Sequence, residues 1–61
     1  MKRIALLRHL KANGCELLRE GSRHSWFVCR PTGLRSAVPR HTDVNDILVL
    51  KICKDLGIPR P

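Results

Sequence analysis

The sequence predicts a two-layer α+β domain of order α-β-β-β-α, with a three-stranded antiparallel sheet and both helices on one of its faces. Apolar residues recur at three- and four-residue spacing near the two ends of the chain, first around Ile4 to Leu10 and again from Ile47 to Leu56. Between those segments lie short β-compatible runs, separated by Glu20-Gly21-Ser22 and by Pro31-Thr32-Gly33. Both separators are turn signals, since Gly accepts positive φ and Pro presets the entry to a turn. A chain of 61 residues is one domain at most, so residues 1–61 are assigned to a single unit.

The first helix is expected over Lys2 to Asn13. Ile4, Leu7 and Leu10, with Leu6 alongside, form its apolar side, while Lys2, Arg3, Arg8, His9 and Lys11 occupy the rest of the circumference. Asn13-Gly14 supplies the stop. His9 reads as solvated. Cys15 to Arg19 follows as a short strand with apolar Cys15, Leu17 and Leu18, and Ser25-Trp26-Phe27-Val28-Cys29 is the most strand-like run in the chain. Leu34 to Val38 returns as the third strand and ends at Pro39.

In the second helix, Asn45 can cap the first turn, Asp46 suits its positive end, and Val44 and Val49 can form a hydrophobic staple. Gly57 is placed to close it, Ile58 can pack back on Cys53, and Pro59 prevents continuation. More than half its girth is apolar. It therefore has two surfaces to satisfy, the sheet of its own domain and either the first helix or a partner protein.

Composition bounds the function. A chain this short buries only about 60% of the surface its unfolded form exposes, which leaves little room for a deep pocket and favours a polymer or another protein as ligand. The net charge is +7, with nine basic and two acidic residues from Met1 to His41 and three of each from Thr42 to Pro61. A basic surplus concentrated in this way suits a phosphate backbone. Cys15, Cys29 and Cys53 cannot all pair within one molecule, and no apolar run resembles a signal peptide or a membrane span. The expectation is a cytoplasmic protein with reduced, buried thiols. No CxxC or HxxxH pair occurs, and no metal or other cofactor is expected.

Chemistry converges on Glu20 to Phe27. Strand alternation sends His24, Trp26, Val28 and Arg30 to one face and Ser25, Phe27 and Cys29 to the other. With Phe27 and Cys29 under the helices, His24 and Trp26 lie on the open face together with Arg35. A histidine flanked by Arg23 and backed by Arg19 can move a proton in RNA cleavage while arginines stabilise the extra charge on phosphorus. By spacing alone, His24 reads equally as a surface histidine with no role. His41, after Arg40, suits phosphate binding or a structural role better than catalysis. Trp26 can stack on an unpaired base, cover the open sheet or anchor a partner. Paired carboxylates and a Gly-rich phosphate loop are both missing. Cys29, five residues beyond His24 and on the other strand face, is no nucleophile for it.

The ordered set Gly14, Glu20-Gly21-Ser22-x-His24-Ser25-x-Phe27, Pro31-x-Gly33, Ala37-Val38-Pro39-Arg40-His41 and Lys51-Ile52-Cys53-Lys54-Asp55-Leu56-Gly57-Ile58 resembles the HicA toxin family of type II toxin–antitoxin systems. The resemblance covers nearly the whole chain. In many members the histidine directly follows Gly-Ser; here Arg23 intervenes, and the correspondence rests on the spacing from His24 to Phe27. The resemblance implies a fold like a double-stranded-RNA-binding domain and a ribosome-independent mRNA endonuclease that needs no metal. It also implies one catalytic histidine, His24, and a HicB-type antitoxin that covers the active face and assembles the toxin into a larger complex. Arg19, Ser22, Arg23, Trp26, Arg35, Arg40 and His41 are the expected RNA contacts. The competing class is a non-catalytic basic module that binds RNA or a partner protein.

Overall fold

The helices start and stop where the sequence can satisfy their free backbone groups. A computed structural model describing residues 1–61 has α1 at Arg3–Ala12, β1 at Cys15–Glu20, β2 at His24–Cys29, β3 at Arg35–Pro39 and α2 at Asp46–Leu56. Asn45 caps α2, its side chain accepting the Ile47 N–H at 2.8 Å. At the other end Gly57 takes φ 69°, where the Gly57 N–H donates to Lys54 O at 3.1 Å and the Ile58 N–H to Cys53 O at 3.0 Å. That pair of bonds is the Schellman closure, and the left-handed residue in it is the expected glycine. The N-terminus of α1 is weaker, since Lys2 gives no side-chain cap and its first turn carries no acidic residue. This helix depends on what it packs against.

The strands form one antiparallel sheet in the order β1-β2-β3, the meander that the two turn signals predict. Leu6 and Leu10 of α1, Phe27 and Cys29 of β2, Val38 of β3, and Ile52 and Leu56 of α2 belong to one buried cluster, so both helices cover the same face. α1 lies over β1 and α2 over β3. The architecture is the expected α-β-β-β-α one and is consistent with a double-stranded-RNA-binding-domain-like fold. Thr32 ties the β2–β3 turn to the end of α2 through a 2.8 Å bond from Oγ1 to Leu56 O. All three cysteines are free and buried. Burial, reinforced by the adjacent Cys29 thiol, pushes Cys15 up to about 12 and keeps it protonated. No helix is long and apolar enough to cross a membrane.

Four details depart from expectation. In α1 the inner stripe is Leu6 and Leu10; Ile4 is 62% exposed. At about 100° per residue Ile4 stands roughly 160° around the helix from Leu6, whereas Arg3 is only about 60° away and faces inward. His9 is half-buried and not free in solvent, because its Nε2 lies 2.6 Å from the Pro59 carbonyl oxygen. Leu17 and Leu18 of β1 are exposed on this edge strand, Leu17 opposite Phe27 and Leu18 at the bulge between Leu17 and Arg19. Val28, on the open side of the sheet by alternation, is nevertheless buried between its register partners Glu16 and Arg35. Strand boundaries otherwise move by one residue, with Glu20, His24 and Pro39 entering the ladder.

The apolar girth of α2 is only half used. Val49, Ile52, Cys53 and Leu56 are buried, but Ile47 is 79% and Leu50 44% exposed. Ile52→Ala is expected to cost about 2–5 kcal/mol, as large-to-small core changes do, while Ile47→Ala in the same helix should stay within about 0.5 kcal/mol. Urea denaturation of the two variants measures the difference, and equal losses would contradict this assignment of the faces.

Candidate nucleic-acid interface

The open face of the sheet is built by β2 and its two neighbours. Ser25, Phe27 and Cys29 point under the helices and are buried. The alternate residues His24 and Trp26 therefore point away from both helices, His24 exposed and Trp26 half-buried. Across the ladder Trp26 faces Arg19 of β1 and Ala37 of β3, and Arg35 stands opposite Val28. The Arg19 guanidinium lies 5.5 Å from the centroid of the Trp26 ring, within cation–π range. On this face, Arg30 and Glu16 make an exposed ion pair at 2.6 Å.

Arg19 reaches this face because of the bulge. With Leu17 opposite Phe27, a regular ladder would set Leu18 against Trp26 and Arg19 against buried Ser25. The register instead skips Leu18, pairing Arg19 with Trp26 and Glu20 with Ser25. One extra residue exchanges the faces of everything after it. Arg19 joins the open face, and Glu20 lands beside Ser25.

That second placement creates a polar network at the end of the sheet. Wholly buried Ser25 donates from Oγ to Glu20 Oε1 at 2.6 Å and accepts from Arg3 Nη2 at 3.0 Å. Arg3 Nε also donates to Pro39 O at 2.8 Å. Arg40 approaches Glu20 from the other side, with Nη2 2.9 Å and Nε 3.2 Å from Oε1. Its guanidinium also donates to three carbonyls around the β1–β2 turn, to Ser22 O at 3.3 Å and Gly21 O in the loop and to His24 O at 3.1 Å at the start of β2. The Ser25 hydroxyl and then the Arg40 guanidinium hold the Glu20 carboxyl below its ordinary value of 4.5.

Of the residues singled out by sequence, Arg19, His24, Trp26 and Arg35 share the open face. Ser22 and Arg23 are exposed in the loop just before His24. His41 is exposed two residues beyond Pro39, the register partner of His24. Arg40 turns its donors to the loop backbone and to Glu20. Sequence reasoning missed Arg3, Glu20 and Ser25. The available signal was Ser25 itself, a hydroxyl at an inward-facing strand position that must find partners. The chain offers no group of His, Cys, Asp and Glu residues placed to hold a metal ion.

Residues 5–58 match the family model described as the HicA toxin of bacterial toxin–antitoxin systems. No curated protein and no solved structure matches the chain. The family match spans nearly all of the 61 residues and includes every element from α1 to α2. The chain belongs to the HicA toxin family and is thus the toxin of a bacterial toxin–antitoxin pair, a system that implies an antitoxin partner.

Proposed function

We propose that this toxin is a metal-independent, ribosome-independent mRNA endonuclease in which His24 carries out proton transfer, and that a HicB-type antitoxin inhibits it. The supporting observation is the position of His24, exposed at the end of an uncovered sheet face that also carries Arg19, Trp26 and Arg35. A shallow basic face of this kind suits an extended polyanion.

The chemistry uses the RNA's own nucleophile. Neutral His24 takes the proton from a 2′-hydroxyl, the 2′-oxygen bonds to phosphorus, and the bond from phosphorus to the 5′-oxygen breaks with a proton delivered to the departing oxygen. In the complementary role, charged His24 supplies that last proton. Either way the products are a 2′,3′-cyclic phosphate and a 5′-hydroxyl. Arg19 and Arg23 stabilise the developing charge, and Arg35, Ser22 and His41 hold the flanking phosphates. Trp26 supplies a stacking surface for a base. An antitoxin seated over the same face blocks access and gathers toxin copies into its own oligomer. The unpaired thiols support action in the reducing cytoplasm, where the mRNA is.

Purified protein incubated with a structured RNA in EDTA should cut it and leave cyclic-phosphate ends, and an RNA with 2′-deoxyribose at the cut site should survive. His24→Ala should lower the cleavage rate by at least about 100-fold, the usual scale for a positioned acid or base, with RNA affinity nearly unchanged. Binding without cleavage by either protein would leave the non-catalytic basic module in its place.

Binding variants separate the two kinds of contact. Trp26→Ala should weaken RNA binding by about 1–3 kcal/mol. Arg35→Ala should reduce the slope of log affinity against log salt by about one phosphate's worth. Fluorescence titration at several salt concentrations reads both, and an unchanged slope for Arg35→Ala would remove it from the phosphate contacts.

A further inference from the structure

We infer that Arg40 is a positioning residue for His24 and not one of the RNA contacts, an assignment that rests on the reading of His24 as the proton-transfer group. The first argument is the state of the guanidinium. Nε and Nη2 are directed to Glu20 Oε1, Nη2 also to Gly21 O and His24 O, and Nη1 to Ser22 O. Arginine has five N–H donors. With one N–H at most left over, Arg40 cannot make the two-pronged grip that favours arginine at phosphates. Its charge also faces the Glu20 carboxylate at 2.9 Å, which offsets its pull on a polyanion.

The second argument is what the loop lacks. Hairpin loops of two or three residues are normally fixed by residues at positive φ, yet Gly21 is not among the positive-φ glycines, and neither Ser22 nor Arg23 adopts such an angle. One backbone bond, from the Gly21 N–H to His24 O at 2.8 Å, closes the loop. Beyond it, the carbonyls of Gly21, Ser22 and His24 converge on the single Arg40 guanidinium. The clamp is itself anchored, because Glu20 accepts from buried Ser25, Ser25 accepts from Arg3, and Arg3 holds Pro39 O beside Arg40. The aim of the His24 ring is thus inherited from α1 and β3 through Arg40. Displacing a reacting group by about 1 Å can cost about 100-fold in rate.

Arg40→Gln and Arg40→Lys test the assignment, the second because lysine keeps the charge but has three donors on one nitrogen, too few and too closely set for Glu20 Oε1 and the three carbonyls together. Both variants should lower kcat about 100-fold while KM, RNA affinity and its salt dependence stay within about twofold of wild type. Glu20→Gln, which leaves the guanidinium in place but removes its anchor, should show a smaller loss of the same kind. Thermal melting and backbone amide spectra, with changes confined to residues 20–25, establish that the variants are folded. A phosphate contact would behave in the opposite way, with affinity and salt slope falling in Arg40→Gln and kcat at saturating RNA retained, and that result overturns the inference. Full activity in Arg40→Lys overturns it as well. A wild type that cuts no RNA would remove the proposed function and this role together, whereas a cutting wild type with unaltered kcat in Arg40→Gln would remove this role alone.

Discussion

The structure turns on the buried hydroxyl of Ser25. It is fully removed from water, so its donor and its lone pairs must be satisfied by the chain or cost about 1–3 kcal/mol. Glu20 accepts its proton and Arg3 donates to it, so one oxygen atom joins the end of β1, the start of β2 and the first turn of α1. Because Arg3 also reaches Pro39 and Glu20 also receives Arg40, the end of β3 is drawn into the same group. The uncapped N-terminus of α1 acquires there a fixed contact that its own sequence does not supply. With only 15 of 61 residues buried, a polar tie of this sort fixes geometry that the apolar core alone would leave loose.

The bulge at Leu18 makes the tie possible. Side-chain parity along a strand has no tolerance, and in a regular ladder with Leu18 paired, Arg19 would be driven under the helices against Ser25 while Glu20 faced outward. That arrangement would bury a guanidinium near Arg3 with no carboxylate between them, a costly juxtaposition of like charges. The bulge avoids it and also provides the open face with its Arg19–Trp26 pair. The same irregularity therefore serves packing on one side of the sheet and sets Arg19 beside Trp26 on the other. Leu18, the residue left without a register partner, stays partly exposed.

What could be read from the sequence was what depends on neighbours a few residues away. Asn45, Gly14 and Gly57 mark helix ends through local backbone chemistry, and alternation in β2 sorts His24 and Trp26 from Phe27 and Cys29 without knowledge of any partner strand. Contacts between distant segments were hidden. Ile4 looks like a core residue until the position of the sheet shows which side of α1 is covered, and His9 looks solvated until the chain end returns to it at Pro59. Arg40 looked like one more cation of a basic face, because the carbonyls that occupy it belong to a loop 16–19 residues earlier in the chain. The open-face part of the candidate site was legible, and the network supporting it was not.

These features bear on how a protein with so thin a core could catalyse anything. An exposed face keeps a high dielectric, in which a unit charge pair at 4 Å gains only about 1 kcal/mol, against about 4 kcal/mol at a partly screened protein surface. Arginines on an open sheet are therefore weak electrostatic catalysts. Under the proposed role, orientation is the larger resource, since holding a proton-transfer group in place does not require water to be excluded. His24 enters β2 from a loop tied on one side to Arg40 and followed on the other by the buried, doubly bonded Ser25. Rigidity around one exposed imidazole is the advantage that this fold can give, and it is supplied by the polar network rather than by a pocket.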